Sequence, residues 1–169
     1  NTLSVARSLI FHAAAEAHAK TQPLGCTFSE LTLSQYNASE DEDYVLFVVS
    51  KPGTCHVHHV GFSRTHPNVM SLGWCFDDLP SVKHELMHVL GLEHEHQSPE
   101  STPYLTRCQK TNCQPNNFNC RALPSTTYTS YGSMDFRSIM MYPVGWVGAC
   151  SLELTQAGVA LANTQGFEH

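Results

Sequence analysis

The sequence predicts an α+β domain in two lobes. Three observations support this fold class: a helical apolar pattern opens the chain, short β-rich runs follow it, and a second helical pattern precedes a long irregular region and a last helix. The chain has 169 residues, 41% of them hydrophobic, enough for one core. We therefore expect a single domain over residues 1–169, with an N-terminal lobe of about 1–94 and a C-terminal lobe of about 95–169.

The N-terminal lobe is predicted to combine a helix with a twisted sheet. Apolar residues recur at helical spacing from Leu3 to Ala17, which favours a helix over residues 3–20. The run 44–50 is short and rich in β-branched residues, so it suits a strand buried on both faces. Residues 55–62 and 69–74 indicate two more strands, with a turn at Pro67-Asn68 between them.

A second helix is predicted from about Val82 to Gly91, with Asp77, Asp78 and Ser81 as candidate N-caps. Residues 99–127 are rich in proline and cysteine and have no steady period, which predicts a loop-rich, disulfide-bonded lobe. Thr155 then caps a short last helix, Gln156 to Asn163.

Composition argues against a nucleic-acid binder and a membrane-spanning protein, and it favours an oxidising, extracellular compartment. Nine Lys and Arg against 15 Asp and Glu give a net charge of −6, so a generally basic nucleic-acid binder is excluded. No apolar run reaches the length of a membrane span. Seven cysteines favour an oxidised, secreted, extracellular protein, and the sequon at Asn37 fits that reading.

The informative stretch is His84–His94. On a helix, His84 and His88 project from one face and can close on one ion, with Glu85 beside them. His94 can join them only if the helix ends first, and Gly91 provides that end because glycine tolerates the left-handed conformation. Three imidazoles leave a fourth position on zinc open, which is the arrangement of a catalytic site.

The string HExxHxxGxxH, followed by the turn Ser138–Tyr142, resembles the metzincin zinc peptidases. Glu95 directly after the third histidine and the Ser-Ile-Met-x-Tyr turn are similar to the astacin family. The resemblance implies a two-lobed metzincin-like fold. It also implies that Met140 lies under the metal site, and that Tyr142 is an extra zinc ligand that swings away when substrate binds.

The resemblance covers most of residues 3–98 and 138–163 and implies two further features. Cys55 and Cys75 match the family's N-terminal disulfide. The family lays its substrate antiparallel along an edge strand, which here matches Val69, Met70, Ser71, Leu72 and Gly73. The family also buries its mature N-terminus against the glutamate that matches Glu95, a contact not carried over here because the chain starts at its first helix.

The sequence does not decide how the other cysteines are paired. Cys26 matches a family cysteine whose partner has no match in this sequence. Four more cysteines are expected to form two bridges in the C-terminal lobe: Cys108, Cys113, Cys120 and Cys150. Three pairings of these four are possible. His56, His58 and His59 alternate along a predicted strand, where they form either a second metal patch or, as we expect, solvated strand residues.

We hypothesise a secreted zinc endopeptidase with a single catalytic domain and one catalytic zinc on His84, His88 and His94. Glu85 is expected to act as general base toward the zinc-bound water, and Tyr142 to stabilise the oxyanion. The expected partners are peptide or protein substrates, with no nucleic acid, no membrane and a monomeric chain. Two alternatives remain: a metzincin of another subfamily, and a secreted binding module whose zinc is structural and closed by a fourth ligand.

Overall fold

The computed structural model describes residues 2–21, 27–32, 34–35, 44–50, 53–62, 67–107, 120–130, 132–145 and 151–168. Its helices and small sheets confirm the α+β class. The chain divides into two compact units, Asn1–Leu92 and Glu93–His169. The predictions on the sequon and on four cysteines lie outside the described residues: Cys26, Cys108, Cys113 and Cys150.

Helix α1, Thr2–Thr21, confirms the first predicted helix. Its buried face is made of alanines: Ala6, Ala13, Ala14 and Ala17. These small side chains let α1 pack closely on a neighbouring helix. Leu3, which the periodicity assigns to this apolar face, lies in the first turn of α1 and is 63% exposed. None of the described helices is long and apolar enough to cross a membrane.

The first unit contains a three-stranded sheet. It is formed by β1 (Val45–Val48), β2 (Cys55–Val57) and β3 (Asn68–Leu72), in the order β1-β3-β2. β1 runs parallel to β3, and β2 runs antiparallel to it. Met70 and Leu72 of β3 are fully buried in the core between the sheet and the helices.

The expectation that residues 69–73 form an edge strand is wrong. β3 is bonded to β1 on one side and to β2 on the other, so Val69, Met70, Ser71 and Leu72 have no open backbone edge. Gly73 continues this pairing, since its N–H donates to the carbonyl of Thr54 at 3.0 Å. Among the described strands, β2 is the antiparallel edge of this sheet.

The expectation that β1 is buried on both faces is also wrong. Val45 and Phe47 pack against the core, whereas Leu46 and Val48 are 36% and 37% exposed. Side chains alternate between the two faces of a strand, so every second residue of β1 faces away from the core.

Helix α2, Leu79–Val89, begins four residues after Cys75 and packs against α1. Of the three candidate caps, Asp78 is the N-cap: its carboxylate accepts the N–H of Ser81 at 3.0 Å. Lys83 of α2 forms a 2.6 Å ion pair with Glu16 of α1 at the partly exposed border of the two helices.

The second unit contains two elements that the irregular sequence did not predict. β4, Leu105–Arg107, pairs antiparallel with β5, Leu152–Leu154. Strands of three residues are too short to show an alternating pattern.

Helix α3, Gln156–Thr164, is confirmed. Its N-cap is Thr155, whose hydroxyl oxygen accepts the N–H of Gly158 at 3.0 Å. A separate core lies here, formed by Leu105, Met134, Phe136 and Ala162.

The disulfide Cys55–Cys75 is confirmed. It joins the first residue of β2 to the segment that follows β3, 20 residues later. Cys120, in the second unit, is also disulfide-bonded. The two bonds support the prediction of an oxidised protein.

The double variant Cys55→Ala/Cys75→Ala is expected to lower the free energy of unfolding by about 3 kcal/mol, because the cross-link restricts a loop of 20 residues in the unfolded chain. Urea unfolding under non-reducing conditions measures the difference. Ser71→Ala, a change on the partly exposed face of the same sheet, is the control. A loss below about 1 kcal/mol would show that the cross-link contributes little beyond the sheet itself.

Candidate metal centre and active site

Three histidines come together at the C-terminal end of α2. His84 and His88 lie one helical turn apart, with ring centroids separated by 4.7 Å and ring planes at 89°. His94 joins them: one ring nitrogen from each histidine lies within 4.8 Å of the others. The predicted grouping of the three imidazoles is therefore confirmed.

The chain turns toward this group at Gly91. Its φ of 96° is a conformation that side chains disfavour. The turn is a Schellman motif, because the N–H of Leu92 donates to the carbonyl of Met87 and the N–H of Gly91 to that of His88, both at 3.0 Å. Gly61 also donates to the His88 carbonyl, at 2.7 Å. A Cβ on Gly61 would lie 3.3 Å from the Cα of Gly91, so both positions favour glycine.

Two of the three imidazoles are held in the tautomer that binds metals. The Nδ1–H of His88 donates to the carbonyl of Leu92 at 2.7 Å, and Nδ1 of His94 lies 2.9 Å from Oε1 of Gln97. Each contact leaves Nε2 as the ligand atom, the usual arrangement behind a metal-binding histidine. Burial, together with the charge of His84, lowers the pKa of His88 to about 4, so its ring stays neutral.

This donor set fits zinc. Three neutral imidazoles are among the ligands that zinc prefers, and three protein ligands leave one position for water or substrate. Within the part of the chain that the structure describes, the grouping contains only these three side chains, and the nearby His96 is not one of them. The alternative of a structural site closed by a fourth side chain is thus not favoured.

Glu85 follows His84 in sequence and is 7% exposed. Burial raises its pKa to about 7, although the backbone N–H of Val57 donates to its carboxylate and opposes the shift. A carboxylate with a pKa near 7 is suited to accept and return a proton at neutral pH. The contact with Val57 also places Glu85 beside the edge strand β2.

The predicted methionine turn is hydrogen-bonded to Glu95, the residue after His94. The N–H of Glu95 donates to the carbonyl of Met140 at 2.9 Å, and its carboxylate accepts the N–H of Asp135, also at 2.9 Å. The N–H of Met141 donates to the carbonyl of Ser138, which closes the turn. Met140 is buried at 2% exposure.

Tyr142 follows this turn and contacts His94, one of the three grouped histidines. Its ring centroid lies 4.3 Å from that of His94, with the planes at 61°. Tyr142 also contacts His96, which is fully buried: the centroids of these two rings are 4.4 Å apart. The structure thus places Tyr142 beside His94, within the same unit of the chain.

Four residues that support the site were not identified from the sequence: Gly61, Val57, His96 and Gln97. Gln97 has a weak sequence signal, since a polar side chain three residues after a ligand can reach back to it. The role of Val57 depends on the direction of one backbone N–H, which no residue pattern reveals.

Comparison with known proteins gives one family. Residues 6–149 match the family model described as Astacin, a family of peptidases. The matched range includes the three histidines, Glu85 and the methionine turn.

Individual relatives are similar over a little more than half of the chain. Human Tolloid-like protein 1 is 34% identical over 106 residues, which are 62% of this chain and 10% of the relative. Zinc metalloproteinase nas-39 of Caenorhabditis elegans is 34% identical over 100 residues, 59% of this chain and 11% of the relative. Astacin-like metalloprotease toxin 2 of Loxosceles intermedia is 30% identical over 105 residues, 62% of this chain and 40% of the relative. The matched region thus spans less than half of each relative.

Proposed function

The chain belongs to the astacin family of zinc peptidases, and we propose that it hydrolyses internal peptide bonds of protein substrates. The observation that carries the proposal is the grouping of His84, His88 and His94 with Glu85 buried beside them. All four side chains come from one chain, which supports activity as a monomer. We further propose one catalytic domain over residues 1–169, with two lobes of about 1–94 and 95–169.

When bound to the three histidines, zinc supplies a Lewis acid that polarises the scissile carbonyl and acidifies a water molecule. Glu85 takes the proton of the attacking water and returns it to the leaving amine. Its burial beside Val57 supports this role, because the proton then moves within a site largely removed from bulk water.

Tyr142 is proposed as the second group that stabilises the oxyanion of the tetrahedral intermediate. Its hydroxyl would donate a hydrogen bond to that oxyanion. Its ring contact with His94 supports this role. Met140 is proposed to support the site from below, since it is buried and its carbonyl is held by Glu95.

Substrate is proposed to bind along β2 rather than along β3. β2 is the antiparallel edge of the described sheet, and an extended peptide can add to such an edge through backbone hydrogen bonds. The contact between Val57 and Glu85 supports this choice, because it brings the proposed general base to that edge.

Secretion is proposed from the cysteine chemistry of the chain. The disulfide Cys55–Cys75 and the bonded Cys120 are typical of proteins that fold in an oxidising compartment.

Removal of zinc is expected to abolish cleavage of denatured casein, because the three histidines alone do not activate water. Treatment with 1,10-phenanthroline should bring cleavage to the background rate, and one equivalent of zinc per chain should restore it. An inhibitor of serine and cysteine peptidases is the control and should have no effect. Cleavage that persists in the metal-free protein would contradict the proposal.

A further inference from the structure

Two exposed histidines at the end of β2 are not used by the proposed mechanism. His56 lies within β2, and His58 follows the last residue of the strand, Val57. The N–H of His58 still bonds to Val69 of β3, so the extended alternation continues and the two side chains project from the same side. Both are exposed, while Cys55 and Val57 point to the core. Their rings stack with centroids 5.0 Å apart and planes at 18°.

The backbone that carries these two rings is fixed by a disulfide and by pairing with β3. Cys55 is bonded to Cys75, and His56 is paired with Ser71 of β3. The N–H of His58 donates to the carbonyl of Val69 at 2.9 Å. A ligand that joins the two rings therefore has to order side chains only, which lowers the entropic cost of binding.

His56 also has a hydrogen-bond partner behind its ring. Its Nδ1 lies 2.8 Å from the hydroxyl oxygen of Thr54. When Nδ1–H donates to that oxygen, Nε2 is the atom that can bind a metal, as in His88 and His94. That nitrogen then belongs to an exposed ring stacked on a second imidazole.

We propose that His56 and His58 form a second site for a divalent transition metal, separate from the three-histidine centre. The two stacked imidazoles supply two ligands, and water completes the coordination of the ion. The site therefore binds zinc more weakly than the three-histidine centre does. Cu²⁺ binds here more tightly than Zn²⁺, following the general order of affinities for nitrogen ligands.

Occupation of this second site slows peptide cleavage, a consequence that rests on the proposed function. Val57 lies between the two histidines, and its N–H donates to Glu85. A hydrated metal ion on the neighbouring side chains occupies space at the strand along which substrate is proposed to bind. Excess zinc thus acts as an inhibitor through the edge strand.

Calorimetric titration of Zn²⁺ into the zinc-loaded Glu85→Gln protein tests the site without any measurement of activity. We expect a second, weaker equivalent of zinc, lost in His56→Gln and in His58→Gln. Thr54→Val should weaken it by about tenfold, because it removes the partner of Nδ1. His59→Gln is the matched control and should keep the second equivalent. A single equivalent in the parent, or its loss in the His59 variant, would overturn the proposal.

A second measurement locates the ion in the unaltered sequence. Substoichiometric Cu²⁺ should broaden the backbone amide NMR signals of residues 54–59 before others; broadening centred elsewhere would overturn the assignment. Excess zinc should slow casein cleavage by the parent and not by His58→Gln. Equal inhibition of both would disprove the link to β2 while the binding result stands. Absence of casein cleavage would count against the proposed function alone.

Discussion

Replacement of Glu85 by glutamine is expected to lower kcat for casein or peptide cleavage by about 10²–10⁴-fold, the usual contribution of a general acid–base group. The amide has nearly the same size and can still accept the N–H of Val57, so the fold should be preserved. It cannot take a proton from water at neutral pH. Zinc should remain bound at one equivalent, because the three histidines that group together are unchanged.

Elemental analysis and steady-state kinetics on the same preparation measure the two parts of this prediction. Glu100→Gln removes an exposed carboxylate elsewhere in the chain and serves as the matched control. Cleavage retained in Glu85→Gln would exclude Glu85 as the general base. Loss of zinc together with activity would instead show that Glu85 acts on metal binding.

The variant Tyr142→Phe is expected to lower kcat by about 10²–10³-fold, the cost of removing one donor to an oxyanion. KM should change little, since the hydroxyl is proposed to act on the transition state. The phenylalanine ring can keep the packing on His94 and His96, whose centroids lie 4.3 and 4.4 Å from that of the tyrosine. The fold and the zinc content are therefore expected to stay as they are.

Kinetics of the purified variant, with zinc content measured beside it, check this result. Tyr104→Phe is the control, because it removes a hydroxyl from a half-buried tyrosine packed on the second core. Full activity of Tyr142→Phe would favour a metzincin mechanism in which the tyrosine has no part.

Local sequence patterns predicted the helices and the grouping of the three histidines well. The 3.6-residue period locates α1, and the N-cap candidates locate the start of α2. Helical geometry then places His84 and His88 on one face. Gly91 follows the end of α2 with a positive φ, a conformation that glycine tolerates. His94 then lies close to the other two histidines. Each of these conclusions depends on residues that are close together in the sequence.

Features that depend on distant partners were predicted poorly. The order of strands in the sheet is decided by packing, so the sequence of β3 did not reveal that β1 and β2 bond to both its sides. β4 and β5 lie more than forty residues apart and each has only three residues. The contact of Val57 with Glu85 likewise depends on which edge of β2 remains open.

The carbonyl of His88 has a consequence for engineering this protein. It accepts hydrogen bonds from both Gly61 and Gly91, whose backbones nearly touch. The loop that leaves the edge strand and the C-terminal end of α2 thus bond to the same oxygen. A mutant library aimed at new substrate preferences should therefore hold both glycines fixed as a pair, and direct its diversity to the outward side chains of the same strand.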